Sequence, residues 1–351
     1  MIFGRGRKFL AVDAGSGRLK VLLARACRRR LEVHSYICWP APAPGSGGFW
    51  GSGELASILA RAVDELGAEG CRALATLGAG DVFLKVFACR LLPGQKLTGP
   101  ILREAAGLLP FPAEEAVLRY RVLGKAKSSS GGEREVLVLL AAASAGTVRR
   151  CYETFLAAGL TLKALDLQHF SLWRAVFGGR RVKNGAAVHI GRQSTLFLVV
   201  REGGIIFAHT VPAGGDLVAK AVAGAGGVSE EAAWELIGRL GKRELPDAGR
   251  TFPQKSAVSV ELSLKEGISV LLGEISRAVE AYNSVHGTFC PEKVVLSGGA
   301  CELDGIGEWL KTAWEVPVEV FYPASLDGQG GEITLDPSFA VAAGTALREV
   351  I

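Results

Sequence analysis

The sequence predicts an α/β chain folded as two lobes around a cleft, and three observations carry that prediction. At 351 residues and 49% hydrophobic content, the chain is too long for one core and apolar enough to fill two. Short strand-like runs alternate with helical ones along most of its length. The stretch AVDAGSGRLKVLLA at 11–24 returns as AVHIGRQSTLFLVV at 187–200, an offset of 176 residues, which implies a duplicated unit.

Each element follows from local pattern. After the first hairpin, LEVHSYICW alternates as a third strand, PAPAPGSGG is a loop, and GELASILARAVDELG has the spacing of an amphipathic helix. RALATLG returns as a strand and completes an α/β unit. Residues 81–165 read as an inserted α+β module: strand VFLKVFACRLL, helix TGPILREAAGLL, strand RYRVLG, loop KAKSSSGGERE, buried strand VLVLLAAA and a helix from about Thr147 to Ala158. KALDL and a helix beginning near Gln168 lead back to the main body, and the polar, glycine-rich GGRRVKNG marks the boundary between halves. The expected division is therefore 1–80 with 166–182 as the first lobe, 81–165 as the module and 183–351 as the second lobe.

The second half repeats the order of the first. Strands are expected near 186–190, 194–201 and 204–211, helices from about 215 and 229, and a long helix over about 259–286. KVVLSGG reads as a buried strand ending in a glycine turn, LDGIGEWLKTAW as an amphipathic helix, and PVEVFYP as an edge strand. DPSFAVAAGTALREVI reads as a closing helix capped by Asp336 with Pro337 at its first position.

Composition removes several function classes. The seven cysteines never occur as CxxC or at ligand spacing from histidine, and there is no HExxH among the five histidines, which argues against zinc and a disulfide framework. No apolar run reaches spanning length, and MIFGRGRKFLAVDAGSG places turn residues and an acid where a signal peptide needs its apolar core. The expectation is a cytoplasmic chain with no direct membrane insertion. Of the net charge of +5, residues 1–30 contribute nine basic and one acidic residue, and residues 81–150 eleven and six. That excess reads as a solvated basic face, with an acidic partner or an anionic membrane surface as the alternatives. With 7% aromatics and no helix-turn-helix, zinc-finger or RNP pattern, no nucleic-acid partner is expected.

Two duplicated units facing one another would bring both hairpin turns to the mouth of one cleft. There the amides of Gly15, Ser16 and Gly17 can meet phosphate oxygens, and Lys20 can add a charge-assisted contact. A single glycine hairpin is usually only a hairpin; the second copy makes the phosphate reading worth carrying. Neither a Walker loop nor a dinucleotide fingerprint is present, since a strand rather than a helix follows Gly15–Lys20. Two more glycine turns suit the same cleft, Pro212-Ala213-Gly214-Gly215-Asp216 and Leu296-Ser297-Gly298-Gly299-Ala300, although glycine pairs also serve plain helix entry and capping.

In this order and spacing, the DxGSxxxK-type hairpin, inserted module, second hairpin, PAGG turn and LSGG turn resemble the actin-like ATPase superfamily. Within it the chain resembles the PilM family of type IV pilus assembly proteins, relatives of FtsA, in segments such as ILREAAGLLPFPAEEAVLRYRVLG, VLLAAASAGTVRRCYETFLAAGLTLKALDLQHFSLWRA and VVLSGGACELDGIGEWLKTAWEVPVEV. The resemblance implies a duplicated, ribonuclease H-like actin fold with an inserted module of FtsA/PilM type, and ATP bound between the lobes. It implies a scaffold that binds the cytoplasmic N-terminal peptide of a PilN-like inner-membrane protein, with contacts to pilus motor-side proteins and self-association left open. By position it assigns Asp13, Gly15, Ser16 and Lys20 to the first phosphate motif, and Gly191, Gln193 and Ser194 to the second. Gly214, Gly215, Glu231, Gly298 and Gly299 fall where the family surrounds ribose, adenine and phosphates.

Departures from the family pattern matter as much. Asp13 would organise magnesium through water, but His189 stands where the second hairpin should supply an acid, and imidazole is a poor magnesium ligand. His189 reads either as a hydrogen-bonded structural residue or as a basic group facing phosphate. Glu231 serves equally as a first-turn acid behind Ser229, Ile237 replaces a common lysine, and Arg192 adds bulk to the second turn. The expectation is ATP as structural ligand or switch with weak or absent hydrolysis, against two alternatives: a competent actin-fold ATPase or phosphotransferase, and an FtsA-like division protein.

Overall fold

A computed structural model describes residues 7–27, 30–42, 49–91, 95–125, 134–178, 182–241, 254–327 and 331–350. Parts of the basic N-terminus, of the PAPAPGSGG and KAKSSSGGERE loops and of the GGRRVKNG boundary lie outside the described residues.

The first lobe starts with an antiparallel meander, β1 (Lys8–Ala14), β2 (Arg18–Cys27) and β3 (Arg30–Pro40). Helix α1 (Gly53–Leu66) is opened by Ser52, whose side chain accepts from the Leu55 amide, and closed by Gly67 in the left-handed region. It leads to β4 (Arg72–Leu77), which lies parallel to β1. The module follows: β5 (Phe83–Leu91), α2 (Thr98–Leu108), β6 (Ala116–Lys125) and β7 (Arg134–Ser144) form a sheet of order β5-β7-β6 with α2 packed on it. Helix α3 (Ala145–Ala157) and β8 (Thr161–Leu167) then rejoin the first lobe: Cys151 and Phe155 enter its core, and β8 pairs parallel with β4. Helix α4 (Gln168–Phe177) starts directly at the end of β8.

The second lobe repeats this order. A meander of β9 (Gly185–Ile190), β10 (Thr195–Arg201) and β11 (Gly204–Val211) is followed by α5 (Gly215–Gly226), α6 (Glu230–Gly241) and α7 (Gln254–His286). Then β12 (Val294–Ser297), α8 (Ile306–Trp314) and β13 (Val318–Val320) complete it. Its sheet runs β11-β10-β9-β12-β13, and the first lobe's runs β3-β2-β1-β4-β8 at its centre and far edge. The two match strand for strand, as a duplication requires.

Three features depart from the sequence reading. Helix α3 and β8, expected within the 81–165 module, belong to the first lobe's core and sheet, because burial of Cys151 and Phe155 and pairing with β4 place them there. β14 (Ala324–Asp327) and β15 (Glu332–Thr334) extend the first sheet beyond β3, within the range assigned from sequence to the second lobe. The closing helix is also broken: Asp336 caps a 3-10 turn by accepting from the Ser338 amide, α9 covers only Ala340–Ala346, and a second 3-10 turn ends at Glu349. The small residues of AVAAGTA let α9 pack closely on α4. A Cβ on Gly344 would lie 1.8 Å from the Ser171 carbonyl oxygen of α4, and Thr345 donates to Ser171 Oγ.

These two helices cross between the lobes. Helix α4 leaves the first sheet and packs Leu172, Val176 and Phe177 with Ala187, Leu198 and Val295 of the second. Helix α9 follows β15 of the first sheet and packs Ala342, Ala343 and Ala346 with Phe9, Ala11 and Leu22 of that lobe, while Ala340 at its start packs with Ala187 and Val295 of the second. Burial of these apolar surfaces fixes the sheets relative to one another and sets their duplicated hairpins face to face. Among the described residues, no helix is long and apolar enough to cross a membrane.

Candidate functional site

Strand β1 carries Asp13 to the cleft, 1% exposed. A buried acid needs partners, and it has three: Lys20 Nζ at 3.2 Å, Gln168 Nε2 donating at 3.0 Å and Thr76 Oγ1 at 3.5 Å. The antiparallel register makes the ion pair local, since Asp13 lies opposite Lys20. Gln168 comes from the first residue of α4, where its Oε1 also accepts from the Ala79 amide. Lys20 Nζ is thus committed to an acid rather than free to meet phosphate. The turn is partly committed too, because the Gly15 amide donates to the Arg18 carbonyl. Ser16 is exposed and Gly17 half-buried at the turn's outer face.

His189 occupies the same strand end in the second hairpin. It is buried, and its Nδ1 lies 3.0 Å from Ser297 Oγ on the adjacent strand β12. Burial pushes its pKa down to about 4; the nearby Asp13 carboxylate raises it, and Lys20 and His169 lower it. A group neutral at physiological pH cannot supply the positive charge toward phosphate that one reading of His189 required. His169, buried at the start of α4 with Nε2 3.2 Å from Thr210 Oγ1, is held at about 4 chiefly by its burial.

The glycine turns meet the second hairpin instead of standing open. Gly215 and Asp216 donate their amides to the carbonyls of Gly191 and Arg192, and the Gly191 amide closes its own turn on Ser194. Ala300 donates to the Ile190 carbonyl, and Gly298 sits at φ +98° where a Cβ would be 2.3 Å from that same oxygen. Close backbone approach therefore accounts for Gly298, and a Cβ on Gly214 would likewise meet the Gly191 and Arg192 carbonyls at 2.6 Å. Gly299 and Gln193 are exposed. Glu231 is exposed in the first turn of α6, where Ser229 Oγ accepts from the Ala232 amide as the cap anticipated from sequence.

Arg192, read from sequence only as added bulk, gathers partners that the sequence did not connect to it. Arg192 Nε donates to Asp216 Oδ1 at 2.9 Å, and Trp234 Nε1 donates to the same oxygen at 2.9 Å. The Arg192 guanidinium lies 5.7 Å from the Trp234 ring centroid. Its aliphatic stem covers Gly17 of the opposite lobe, where a Cβ would be 2.7 Å from Arg192 Cδ, and the Trp234 ring covers Gly215. The PAGGD and SEEAAWEL segments carry Asp216 and Trp234, but nothing in their spacing announces that they share one oxygen. Gln168 had no local signal at all, lying 155 residues from Asp13.

The arrangement suits a nucleoside phosphate better than a metal. An arginine and an indole face stand beside the first turn at the seam between lobes, groups whose chemistry suits a polyphosphate and a base, while the glycine turns are largely closed on backbone carbonyls. Magnesium asks for a carboxylate free to hold its waters. Asp13, the carboxylate at the first strand end, is spent on Lys20 and Gln168, and at the second strand end His189 offers no oxygen. The donor set present does not fit that ion.

The chain matches the family described as type IV pilus assembly protein PilM over residues 11–350. Among solved structures it is similar to the PilM–PilN type IV pilus biogenesis complex, at 22% identity and a TM-score of 0.75 over 98% of each chain. It is also similar to the ethanolamine utilization protein EutJ from Carboxydothermus hydrogenoformans, at 15% identity and a TM-score of 0.54 over 97% of this chain and 89% of that one. A third likeness is to MreB5 of Spiroplasma citri bound to ADP, at 10% identity and a TM-score of 0.51 over 98% and 96%. The architecture is the actin-like ATPase fold.

Proposed function

The chain belongs to the PilM family of type IV pilus assembly proteins, and from that premise we propose that it is a scaffold at the cytoplasmic face of the inner membrane. It holds the cytoplasmic N-terminal peptide of a PilN-like membrane protein, with ATP between its lobes as structural ligand or switch and little or no hydrolysis. A nucleotide that binds one lobe arrangement better than another shifts the surface offered to the partner.

The observation carrying weak hydrolysis is the state of the two strand ends at the cleft. Hydrolysis needs a group to orient water and charge to stabilise the transferring phosphoryl, usually a metal ion. Asp13 is neutralised by Lys20, and His189 is a buried neutral imidazole held on Ser297.

The inserted module supplies the partner surface. Supporting this is a groove between α2 and β6 lined by Thr98, Leu102, Val117, Arg119 and Tyr120. Leu102, Val117 and Tyr120 are at least one-third exposed despite their apolar character. β6 is an outer strand, paired with β7 alone among the described strands, so an extended peptide can add to it through main-chain hydrogen bonds while side chains enter the groove.

The test is fluorescence polarisation with the N-terminal peptide of a PilN-like protein. Val117→Asp is expected to weaken binding about tenfold or more, and unchanged affinity would remove the groove assignment. Point substitutions are required because deleting 81–165 also removes α3 and β8, which belong to the first lobe's packing. In parallel, phosphate release from ATP is expected to stay near the protein-free blank; magnesium-dependent turnover abolished by His189→Ala would refute the scaffold reading.

A further inference from the structure

We propose that Arg192 is the phosphate contact of this cleft, a lobe-bridging cation that exchanges Asp216 for the phosphates of a nucleoside polyphosphate and takes the place of a divalent metal. The inference rests on the nucleotide reading above and names the residue that carries it. Position is the first ground: Arg192 sits in the second hairpin turn, yet its stem lies against Gly17 in the first, so its guanidinium stands where both turns meet. Competition is the second. The first hairpin has two cations: Lys20 is buried and fixed on Asp13, and Arg18 is exposed at the start of β2 with its Nη1 toward Cys38 Sγ, whereas Arg192 reaches across to Gly17 and its pair with Asp216 is partly solvent-exposed, with side-chain exposures of 33% and 19%. A partly exposed pair costs less to part than the buried Lys20–Asp13 pair, and Arg192 uses only Nε for Asp216. Its Nη groups have no hydrogen-bond partner among the described residues, leaving the fork suited to phosphate oxygens.

The third ground is the indole. Trp234 donates to the same Asp216 oxygen and faces the guanidinium, so Asp216 remains partnered when Arg192 leaves, and the vacated ring face can stack on a base. Charge completes the case, because the donor set does not suit magnesium while a guanidinium needs no hydrated ion to meet a polyphosphate.

Thermal unfolding with ATP or inorganic tripolyphosphate, each with magnesium and with EDTA, tests this directly. The native chain is expected to be stabilised by both ligands, and by ATP at least as well in EDTA. Arg192→Gln should need about tenfold more of either ligand for the same shift, the typical worth of a charge-assisted hydrogen bond. Arg192→Lys should retain part of the response, and Asp216→Asn, by releasing the arginine, should increase it. ATP should also change indole emission in the native chain and not in Trp234→Phe. Melts without ligand establish that each variant is folded, and Arg192→Lys serves if Arg192→Gln is not. Should Arg192→Gln bind ATP as well as or better than the native chain, Arg192 is a plug and the inference fails while the nucleotide reading stands. No response to ATP in the native chain or any variant overturns both.

Discussion

The two hairpins share a backbone and differ in how each resolves a polar group at a buried strand end. Both turns close alike, Gly15 donating to Arg18 and Gly191 to Ser194. Both polar ends meet a hydroxyl on the neighbouring parallel strand, Asp13 at Thr76 and His189 at Ser297. Across the antiparallel register, however, Asp13 faces Lys20 while His189 faces Leu196. The substitutions are therefore coupled. With leucine opposite, an acid at 189 would be buried without a counter-ion, and a neutral imidazole holding one hydrogen bond is the less costly occupant. The second hairpin's charge has moved outward into the turn, to Arg192.

The strongest way to break this comparison is to strand one charge. Asp13→Ala leaves Lys20 buried and unpaired, and should destabilise the chain by about 3–5 kcal/mol in urea unfolding. The double variant Asp13→Leu, Lys20→Leu, which copies the apolar logic of the second hairpin, should recover much of that loss. A double variant no more stable than Asp13→Ala would show that the pair is not the coupled unit.

A smaller effect separates the two hydroxyls. Ser297→Ala removes the Nδ1 partner of a fully packed histidine and should cost about 1–3 kcal/mol. Thr76→Val should cost less than half as much, because Asp13 keeps Lys20 and Gln168. Equal losses would mean that the hydroxyls do the same work in both lobes.

The mildest probe is pH. His189 is held at about 4 in the folded chain, below its unfolded value near 6.5. The unfolded state then binds more protons between those values, so stability is intact above about pH 6.5 and falls as pH drops toward 4. The slope should approach about 1.4 kcal/mol per pH unit for each such histidine. His189→Asn should flatten the profile by one histidine's share, with His169 contributing a like one and His34, His209 and His286, also lowered by burial, contributing to the remainder. A profile unchanged by His189→Asn would show that the imidazole already titrates normally in the folded chain.

Much of the fold was legible because it is written in local patterns. The hairpin repeat, the amphipathic spacing of α1, the Ser229 cap and the alternation of β3 all follow from neighbours within a few residues. β14 and β15 were not legible, since four and three residues carry too little periodicity and acquire a partner only where the chain returns to β3. The segment Pro337–Glu349 looked like one helix because its composition is helical; crossing α4 at Ser171 and capping at Asp336 divided it.

The site divides the same way. By itself the sequence determined that two glycine turns and their flanking polar residues, Asp13, Lys20 and His189, would sit at equivalent strand ends, because a repeat at fixed offset preserves position within its unit. Only the tertiary structure decided what those residues do. Partnership at a buried site depends on which distant groups packing delivers: Gln168 and Thr76 to Asp13, Ser297 to His189, and Asp216 and Trp234 to Arg192. Burial then sets their charge, which is why the second strand end is neutral and the cation of that hairpin stands in its turn.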